Sequence, residues 1–207
     1  MTTTTHQRRQ PVQERSRETV ARLLDAAAAI IDEAGVEAAT TRAIAERDGV
    51  AYPSLYRFYA DREEILEQLL ERHLADLDAE AVAAEETWQI TSIEDVIDRE
   101  LDLHIAYYEE HPSAARLWLS GRSSPTVIAH VRERTRVLAE RMRSALIGAG
   151  LISPETDSRV LLLVVELGDR ILDVAFRGSS THDPVIIQLG RTALKAYALE
   201  ALDSAAH

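Results

Sequence analysis

A glycine at position 49 interrupts an otherwise helical pattern between Thr40 and Tyr59. The small residue Ala45 lies four positions before it, and the apolar residue Val50 follows it. Two helices that meet at a steep angle need a small residue at their crossing, a left-handed residue at the turn, and apolar anchors on both sides. The spacing therefore predicts two short helices joined by a tight turn at Gly49.

The side chains of this segment separate into an inner and an outer set. We expect the inner, apolar set to pack against the preceding helix, and it consists of Ile44, Val50, Leu55 and Phe58. This arrangement is typical of a helix-turn-helix, whose second helix enters the major groove of DNA. A glycine before a short amphipathic segment also occurs in other helical hairpins, so the spacing alone leaves the function open. The residues that the second helix would expose are Tyr52, Pro53, Ser54, Tyr56 and Arg57.

Helical periodicity continues through the rest of the chain. Only 8 glycines and 6 prolines occur among the 207 residues, and no alternating pattern indicates a strand. Capping signals at Thr40, Asp61, Ser92 and Asp183 mark helix starts. The sequence thus predicts an all-α protein with about nine helices. Their expected spans are about 17–34, 40–47, 51–59, 61–86, 92–112, a short sixth helix before a loop at 121–125, then 125–149, 153–176, and a last helix after a loop at 178–184.

The charge is unevenly distributed along the chain. The whole sequence carries a net charge of -12, but residues 1–60 contain 8 arginines and 8 acidic residues, so the acidity belongs to the remainder. Overall acidity argues against binding to nucleic acid, because the phosphate backbone repels acidic side chains. The neutral first part of the chain weakens this argument. Arg8 and Arg9 belong either to a frayed, solvated end or to an arm that reaches DNA.

Several classes of protein are disfavoured by the sequence. It has 0 cysteines, which excludes disulfides and zinc-finger spacing, and it has no run of 18 apolar residues. We therefore expect a cytoplasmic protein without a membrane segment. No HExxH motif, paired ExxH motif or glycine-rich phosphate loop occurs, so we expect no enzyme activity, no metal and no cofactor. The alternatives are a helical protein-binding adaptor without a DNA role and, less favoured, a metal-dependent helical enzyme that uses His104 with His111, or Glu166, Asp169 and Asp173.

Residues from Ser16 to about Glu71 resemble the N-terminal domain of the TetR (tetracycline repressor) family of transcriptional regulators. The resemblance is carried by the stretch TTRAIAERDGVAYPSLYRFYADREEIL. Asp48 departs from it, because the family usually has a small apolar residue there. The positions that match the family pattern are Ile44, Ala45, Gly49, Val50, Leu55, Tyr56 and Tyr59.

The resemblance implies a domain organisation and a DNA-binding surface. It implies a basic, flexible arm at residues 1–15, a three-helix helix-turn-helix domain at 16–61, and a larger helical domain for ligand binding and dimerisation at 62–207. Arg42 would read a guanine edge or, alternatively, form a surface ion pair. Arg57 and Arg62 would contact phosphate. Tyr56 would do so as well or lie partly buried in the core. The predicted DNA-binding residues are Thr40, Thr41, Arg42, Tyr52, Pro53, Ser54, Tyr56, Arg57 and Arg62.

The resemblance also implies a sensor in the second domain. Members enclose a mostly apolar cavity there, and the effector expected here is apolar and either neutral or cationic. An aromatic stripe can equally be ordinary core, and the polar stripe of the eighth helix can be a dimer seam or a solvated face. The candidate ligand-binding residues are Trp88, His104, Tyr107, Tyr108, Trp118, Glu166 and Asp169.

The expected partners are a palindromic DNA operator, a small-molecule effector and a second copy of the chain. Broad apolar surface on the last two helices predicts that they form the homodimer interface. The fourth helix, which runs from near Arg62 toward Trp88, is the expected lever that couples ligand to operator.

Overall fold

The fold is all-helical in the residues that the computed structural model describes, which are 9–119, 125–177 and 181–204. Nine α-helices and one short 3-10 helix occur in these ranges, and the ranges contain no strand. This confirms the predicted fold class. The helices are α1 (Arg9–Ala34), α2 (Thr41–Asp48), α3 (Tyr52–Leu55), α4 (Arg62–Glu85), α5 (Ile93–Glu110), α6 (Pro112–Leu119), α7 (Pro125–Gly148), α8 (Ser158–Ala175) and α9 (Pro184–Ser204), with the 3-10 helix at Val36–Ala38.

The chain divides into two compact units, Met1–Arg72 and His73–His207. The division falls within α4, whose first part belongs to the first unit and whose remainder belongs to the second. The sequence placed the domain boundary earlier, between residues 61 and 62. Each unit is described separately below.

Gly49 provides the turn of the first unit as predicted. Its φ of 73° is left-handed, and its amide donates to the carbonyl oxygens of Ala45 and Glu46. Ile44 and Leu55 have no exposed surface and pack inward, whereas Val50 is only half-buried. The helix-turn-helix geometry therefore follows from one glycine and a few buried apolar side chains.

Three helix boundaries differ from the sequence prediction. α1 begins at Arg9 rather than at residue 17, so residues 9–15 of the predicted flexible arm are helical; residues 1–8 lie outside the described part. α3 ends at Leu55 and continues only as turns toward Tyr59. α8 begins at Ser158 rather than near residue 153, because Asp157 supplies the cap by accepting a hydrogen bond from the Arg159 amide.

Capping side chains set the other helix starts where the sequence indicated. Thr40 accepts from the Ala43 amide at 3.1 Å, and Ser92 accepts from the Asp95 amide at 3.1 Å. The predicted loops at 121–125 and 178–184 fall partly outside the described residues. Local side chain to backbone bonds satisfy amides that a helix start would otherwise leave unpaired.

The second unit is built around one apolar core. It contains Leu77 from α4, six residues of α5 and apolar positions of α6, α7, α8 and α9; the α5 residues are Val96, Ile97, Leu101, Ile105, Tyr107 and Tyr108. α8 and α9 approach each other so closely at Gly190 that a Cβ atom there would overlap the side chain of Ile171. A small cavity lies between α5, α7, α8 and α9.

Candidate DNA interface and ligand cavity

The start of α2 presents an arginine to solvent. Thr40 is exposed and uses its hydroxyl as the cap of α2, and Thr41 is half-buried. The Nε atom of Arg42 lies 2.9 Å from Glu46 Oε1, and both side chains are more than three-fifths exposed. Exposed i,i+4 ion pairs of this kind are weak, so Arg42 can exchange Glu46 for another acceptor.

The outer face of α3 carries two exposed tyrosines. The hydroxyl oxygens of Tyr52 and Tyr56 lie 2.6 Å apart, and their rings meet edge to face with centroids 5.3 Å apart. The two residues are 43% and 48% exposed, although Leu55 between them is fully buried. Pro53 is exposed and Ser54 is half-buried beside them. The pair holds two large rings rigidly on the surface, where they do nothing for the core.

Arg57 and Arg62 have different environments, although both are predicted to contact phosphate. The side chain of Arg57 is exposed and makes no hydrogen bond or ion pair with any described residue, and its amide donates to the Ser54 carbonyl oxygen at 3.2 Å. Arg62 is only 20% exposed in its side chain, and it donates to the carbonyl oxygens of Ala39 at 2.9 Å and Val36 at 2.6 Å. Arg62 thus joins the start of α4 to the 3-10 helix, and its predicted phosphate contact competes with that role.

Asp48 shows why this chain departs from the family pattern at the end of α2. Its Oδ1 atom accepts a hydrogen bond from Arg22 Nε at 3.0 Å, and its side chain is only 5% exposed. The pair links α2 to α1, so a carboxylate takes the place of an apolar contact. This position therefore changes the chemistry of the turn without opening it.

The second unit contains a small cavity between α5, α7, α8 and α9. About 40 Å³ of it is open to the centre of a water molecule, which is room for roughly one to three waters. Nine of its twelve lining residues are apolar or glycine, and the other three are Glu100, His104 and Asp169. The lining residues are Ile97, Glu100, Leu101, His104, Leu138, Met142, Val164, Val165, Gly168, Asp169, Leu172 and Leu194.

Glu100 is the most buried carboxyl of this cavity, and the sequence analysis missed it. It is 7% exposed, and its Oε2 atom has no hydrogen-bond partner among the described residues. Burial raises the pKa of Glu100 to about 8, and the neighbouring carboxylate of Glu85 adds to that rise. The side chain is therefore protonated at neutral pH when the cavity holds no cation.

His104 lies on the cavity as predicted. Its Nδ1 atom is 2.8 Å from the Glu100 carbonyl oxygen, which accepts its proton, and its Nε2 atom is 3.5 Å from Arg134 Nη2. Burial lowers the pKa of His104 to about 4, and Arg134 lowers it further. The imidazole is neutral at physiological pH.

Two arginines of α7 stand behind the cavity, and both are paired with α4. Arg134 Nε donates to Asp78 Oδ1 at 2.7 Å, and Arg141 binds both carboxylate oxygens of Glu85, at 2.6 and 3.0 Å. The Arg134 side chain is 6% exposed. Neither arginine was predicted from the sequence, because charged residues at helical spacing on α4 and α7 are typical of a solvent-exposed helix face.

Asp169 is the third polar residue of the lining, and it was predicted. Burial raises the pKa of Asp169 to about 6, although Arg134 opposes the rise. It makes no direct hydrogen bond or ion pair with the described residues. Asp169 and Glu100 therefore face the same cavity as two carboxyls without a cation of their own.

The other five candidate ligand residues do not line this cavity. Glu166 is exposed, Trp88 packs beneath the guanidinium of Arg99 with 5.8 Å to the ring centroid, and Trp118 is half-buried. Tyr107 is a core residue whose hydroxyl lies 3.1 Å from His73 Nδ1. Tyr108 is buried edge to face against Phe176. Both tyrosines belong to the apolar core of the second unit, and a role for them in ligand binding stays a prediction.

Two further properties concern the described residues only. In that part of the chain no group of three or more His, Cys, Asp or Glu residues is placed to hold a metal ion. None of the described helices is both long and apolar enough to cross a membrane.

Arg62→Met tests the structural role of Arg62. We expect the free energy of unfolding to fall by about 1 to 3 kcal/mol, because two carbonyl oxygens lose their donor. Arg62→Lys should recover only part of the loss, since an ammonium lacks the planar fork. Urea unfolding measures both, and Arg57→Met is the matched control, expected within about 0.5 kcal/mol of the parent. Equal stabilities of the Arg62→Met and Arg57→Met variants would contradict the structural role.

Glu100→Gln tests the buried carboxyl through pH. Because the pKa of Glu100 is higher in the folded chain, its contribution to stability is fully present below its ordinary pKa and is lost as pH rises toward 8. Between pH 6.5 and 8 the parent should therefore lose about 1 to 2 kcal/mol relative to Glu100→Gln. Asp169 and His104 titrate below this window. Urea unfolding at the two pH values measures the difference, with Glu166→Gln as the exposed control that should follow the parent.

Comparison with known proteins places the chain in a family. Residues 23–69 match a model described as bacterial regulatory proteins of the tetR family, and residues 92–197 match a tetracyclin repressor-like C-terminal domain. A comparison with curated proteins gave no significant match.

Solved structures give the same result. A TetR-family transcriptional regulator from Streptomyces coelicolor is 28% identical, with a TM-score of 0.71 over 90% of this chain and 99% of that one. The regulator FadR from Bacillus subtilis, in complex with stearoyl-CoA, shares the fold at 16% identity, with a TM-score of 0.67 over 86% of this chain and 97% of that one. The C-terminal model alone covers more than half of the sequence, and the chain therefore belongs to the TetR family of bacterial regulatory proteins.

Proposed function

We propose that the protein is a transcriptional repressor that binds a palindromic operator as a homodimer and is released by a small, mostly apolar ligand. The observation that carries the DNA-binding part is the exposed Tyr52–Tyr56 pair on α3, next to the exposed Arg42 of α2. Large rings and an arginine fixed on one face of a helix-turn-helix serve recognition rather than packing. Such a regulator acts in the cytoplasm, where the chromosome of a bacterium lies.

Each residue of this surface has a role that its chemistry supports. Arg42 exchanges Glu46 for the edge of a guanine, and Tyr52 with Pro53 contacts thymine methyl groups. Tyr56 and Arg57 bind phosphates, which position the helix without reading sequence. Thr40, Thr41 and Ser54 add hydroxyl contacts to the backbone. Arg62 contributes by holding the 3-10 helix and α4 together, and its phosphate contact remains a prediction.

The proposed dimer uses the outer face of α8 and α9. Leu189 and Val185 are both 63% exposed, which is unusual for side chains of this size in a helix. An apolar groove between the two helices lies beside them, lined by Leu167, Ile171 and Val174 among others. A second copy that presents the same face would bury this surface by two-fold symmetry, as closed homodimers do. The remaining exposed apolar side chains of this face are Leu163, Leu167 and Leu199.

Ligand release is proposed to act through α4. The second-unit part of α4 is tied to α7 by the pairs Asp78–Arg134 and Glu85–Arg141, and these arginines stand directly behind Glu100 and His104. A ligand in the cavity would alter these pairs and shift α4, which continues into the first unit. A coupling of about 1 to 3 kcal/mol between ligand and operator is typical of such systems.

Ligand binding in this fold has a precedent in the comparisons. The Bacillus subtilis FadR structure holds stearoyl-CoA, a molecule with a long apolar chain. That ligand belongs to that protein, and the cavity here is lined by two carboxyls, those of Glu100 and Asp169. The fold therefore supports a ligand-responsive regulator, while the lining residues decide which ligand fits.

Arg42→Ala should relax the base preference of the protein and weaken operator binding roughly tenfold to a hundredfold per half-site. The operator is first selected from random duplex DNA, and affinity is then measured by fluorescence anisotropy at several salt concentrations. Arg136→Ala is the matched control, because Arg136 is also an exposed arginine in a surface ion pair, with Glu133 of α7. An unchanged selected motif for Arg42→Ala would contradict the base-reading role, and the absence of salt-dependent binding by the parent would remove the proposed function.

Leu189→Glu should disrupt the dimer. It places a charge in the centre of the proposed interface, where it has no partner, and we expect the dimer dissociation constant to rise at least about a hundredfold. Sedimentation velocity over a range of concentrations measures this. Val137→Glu is the control, since Val137 is 48% exposed but lies on α7. A parent protein that is monomeric at micromolar concentration would rule out the interface.

A further inference from the structure

The cavity of the second unit has an unusual balance of charge. Its polar lining consists of two carboxyls and a neutral imidazole, and no basic residue lines it. The rest of the wall is aliphatic or glycine. Buried carboxyls normally face an arginine, a lysine or a set of backbone amides. Here neither carboxyl makes a direct ion pair with an arginine or lysine among the described residues.

The arginines nearby are already committed to other carboxylates. Arg134 pairs with Asp78, and Arg141 takes both oxygens of Glu85. Each arginine therefore neutralises a partner on α4. No direct ion pair with the described residues offsets the free-energy cost of burying Glu100 and Asp169.

One carboxylate oxygen of Glu100 has no hydrogen-bond partner among the described residues. This Oε2 atom is buried without a hydrogen bond, and the neutral ring of His104 lies 3.9 Å from it at Nδ1. That nitrogen already donates to the Glu100 carbonyl oxygen. A buried acceptor without a donor is costly, and a donor that enters the cavity would relieve the cost.

We propose that this cavity selects an effector with a protonated amine on an apolar body, whose amine binds the carboxyl groups of Glu100 and Asp169. The inference rests on the proposed ligand-responsive function and specifies the chemistry of its ligand. The ammonium supplies the hydrogen-bond donors and the positive charge that both carboxyls lack. The aliphatic walls from α5, α7, α8 and α9 hold the body of the ligand.

Other ligand classes fit the cavity less well. A neutral apolar molecule would leave the Glu100 oxygen without a donor in an even drier site. An anion would meet two carboxyls at close range. The small volume favours an amine on a short chain, and a longer body requires the helices to move apart.

The charges that surround Glu100 determine how binding depends on pH. Glu85 faces it from α4, His104 from α5, Arg134 and Arg141 from α7, and Asp169 shares the cavity from α8. Burial and Glu85 keep Glu100 protonated at neutral pH, with a pKa of about 8. The bound ammonium favours the ionised form, so binding releases a proton below that pKa. An alkylammonium, whose pKa resembles that of lysine near 10, stays charged throughout, and its affinity should rise from pH 6 to pH 8.

The experiment compares n-alkylamines from butyl to octyl with the matching n-alkanols, which differ only in the charged group. Isothermal titration calorimetry on the full chain without DNA should show that the amines bind at least about tenfold more tightly than the alcohols. Titration in two buffers of different ionisation enthalpy should reveal the released proton at pH 7. Each of Glu100→Gln and Asp169→Asn should reduce the amine preference at least about tenfold, and Glu100→Gln should also abolish the proton release.

The matched control is Glu166→Gln, which removes an exposed carboxyl three residues before Asp169 on the same helix and should leave amine binding unchanged. Because a glutamine has the shape of the protonated glutamate, Glu100→Gln should fold, which circular dichroism checks. Alcohols that bind as tightly as amines, or amine binding that survives both cavity variants, would overturn the proposal.

Operator binding separates this proposal from the proposed function. If amines bind with the expected preference while no duplex shows salt-dependent binding, the cation site stands and the regulator function fails. If the selected operator binds normally and the amines show no preference over alcohols, the regulator function stands and the cation site fails.

Discussion

Two arginine–carboxylate pairs between α4 and α7 hold the second unit in its arrangement. Arg134 is almost fully buried when it meets Asp78, so loss of either partner would leave a charge without compensation. Such pairs add little net stability compared with apolar packing, but breaking one is costly. They therefore fix one register of α4 against α7. The cavity lies beside that register, which explains why its carboxyls have no arginine available.

Arginine side chains also connect the helices of the first unit. Arg62 joins the carbonyl oxygens of the 3-10 helix to the start of α4, and Arg22 joins α1 to Asp48 at the end of α2. Both arginines fix backbone segments next to the turn at Gly49. The exposed face of α2 and α3 is thus rigid before DNA arrives, which reduces the entropy that binding would otherwise cost.

The sequence predicted most of the fold because its helix signals are local. Thr40, Ser92 and Asp183 act as caps in the structure, and Gly49 adopts the left-handed conformation that the turn requires. The misplaced start of α8 has the same kind of cause, since Asp157 caps it and the earlier Ser153 does not. The extension of α1 to Arg9 carried no comparable signal, because the residues before 17 have no apolar periodicity.

The candidate sites were less predictable because they depend on which charges become buried. Glu100 and Arg134 lie on amphipathic helices, where a charged residue usually faces water, and only the tertiary packing of the second unit removes them from it. Aromatic residues drew attention in the sequence, yet Tyr107 and Tyr108 serve the core. His104 and Asp169 line the cavity, and the sequence singled them out as polar residues on largely apolar helices, but their role in ligand binding stays a prediction.

A cavity that buries the protonated carboxyl of Glu100 beside the carboxyl of Asp169 is a destabilising feature that packing alone could have avoided. Apolar residues at positions 100 and 169 would fill the same space without the free-energy cost of removing two carboxyl groups from water. A chain that keeps these two carboxyls is less stable than it could be. A ligand that provides a hydrogen-bond donor and a positive charge would recover part of the lost free energy. A ligand can shift a protein between two states only through its different affinity for them, and here the difference has a physical source: in the ligand-bound state Glu100 gives up its proton and gains an ammonium. The same change alters the field at Arg134 and Arg141, whose partners lie on α4, so the site that selects the ligand also acts on the helix that continues toward the DNA-binding unit.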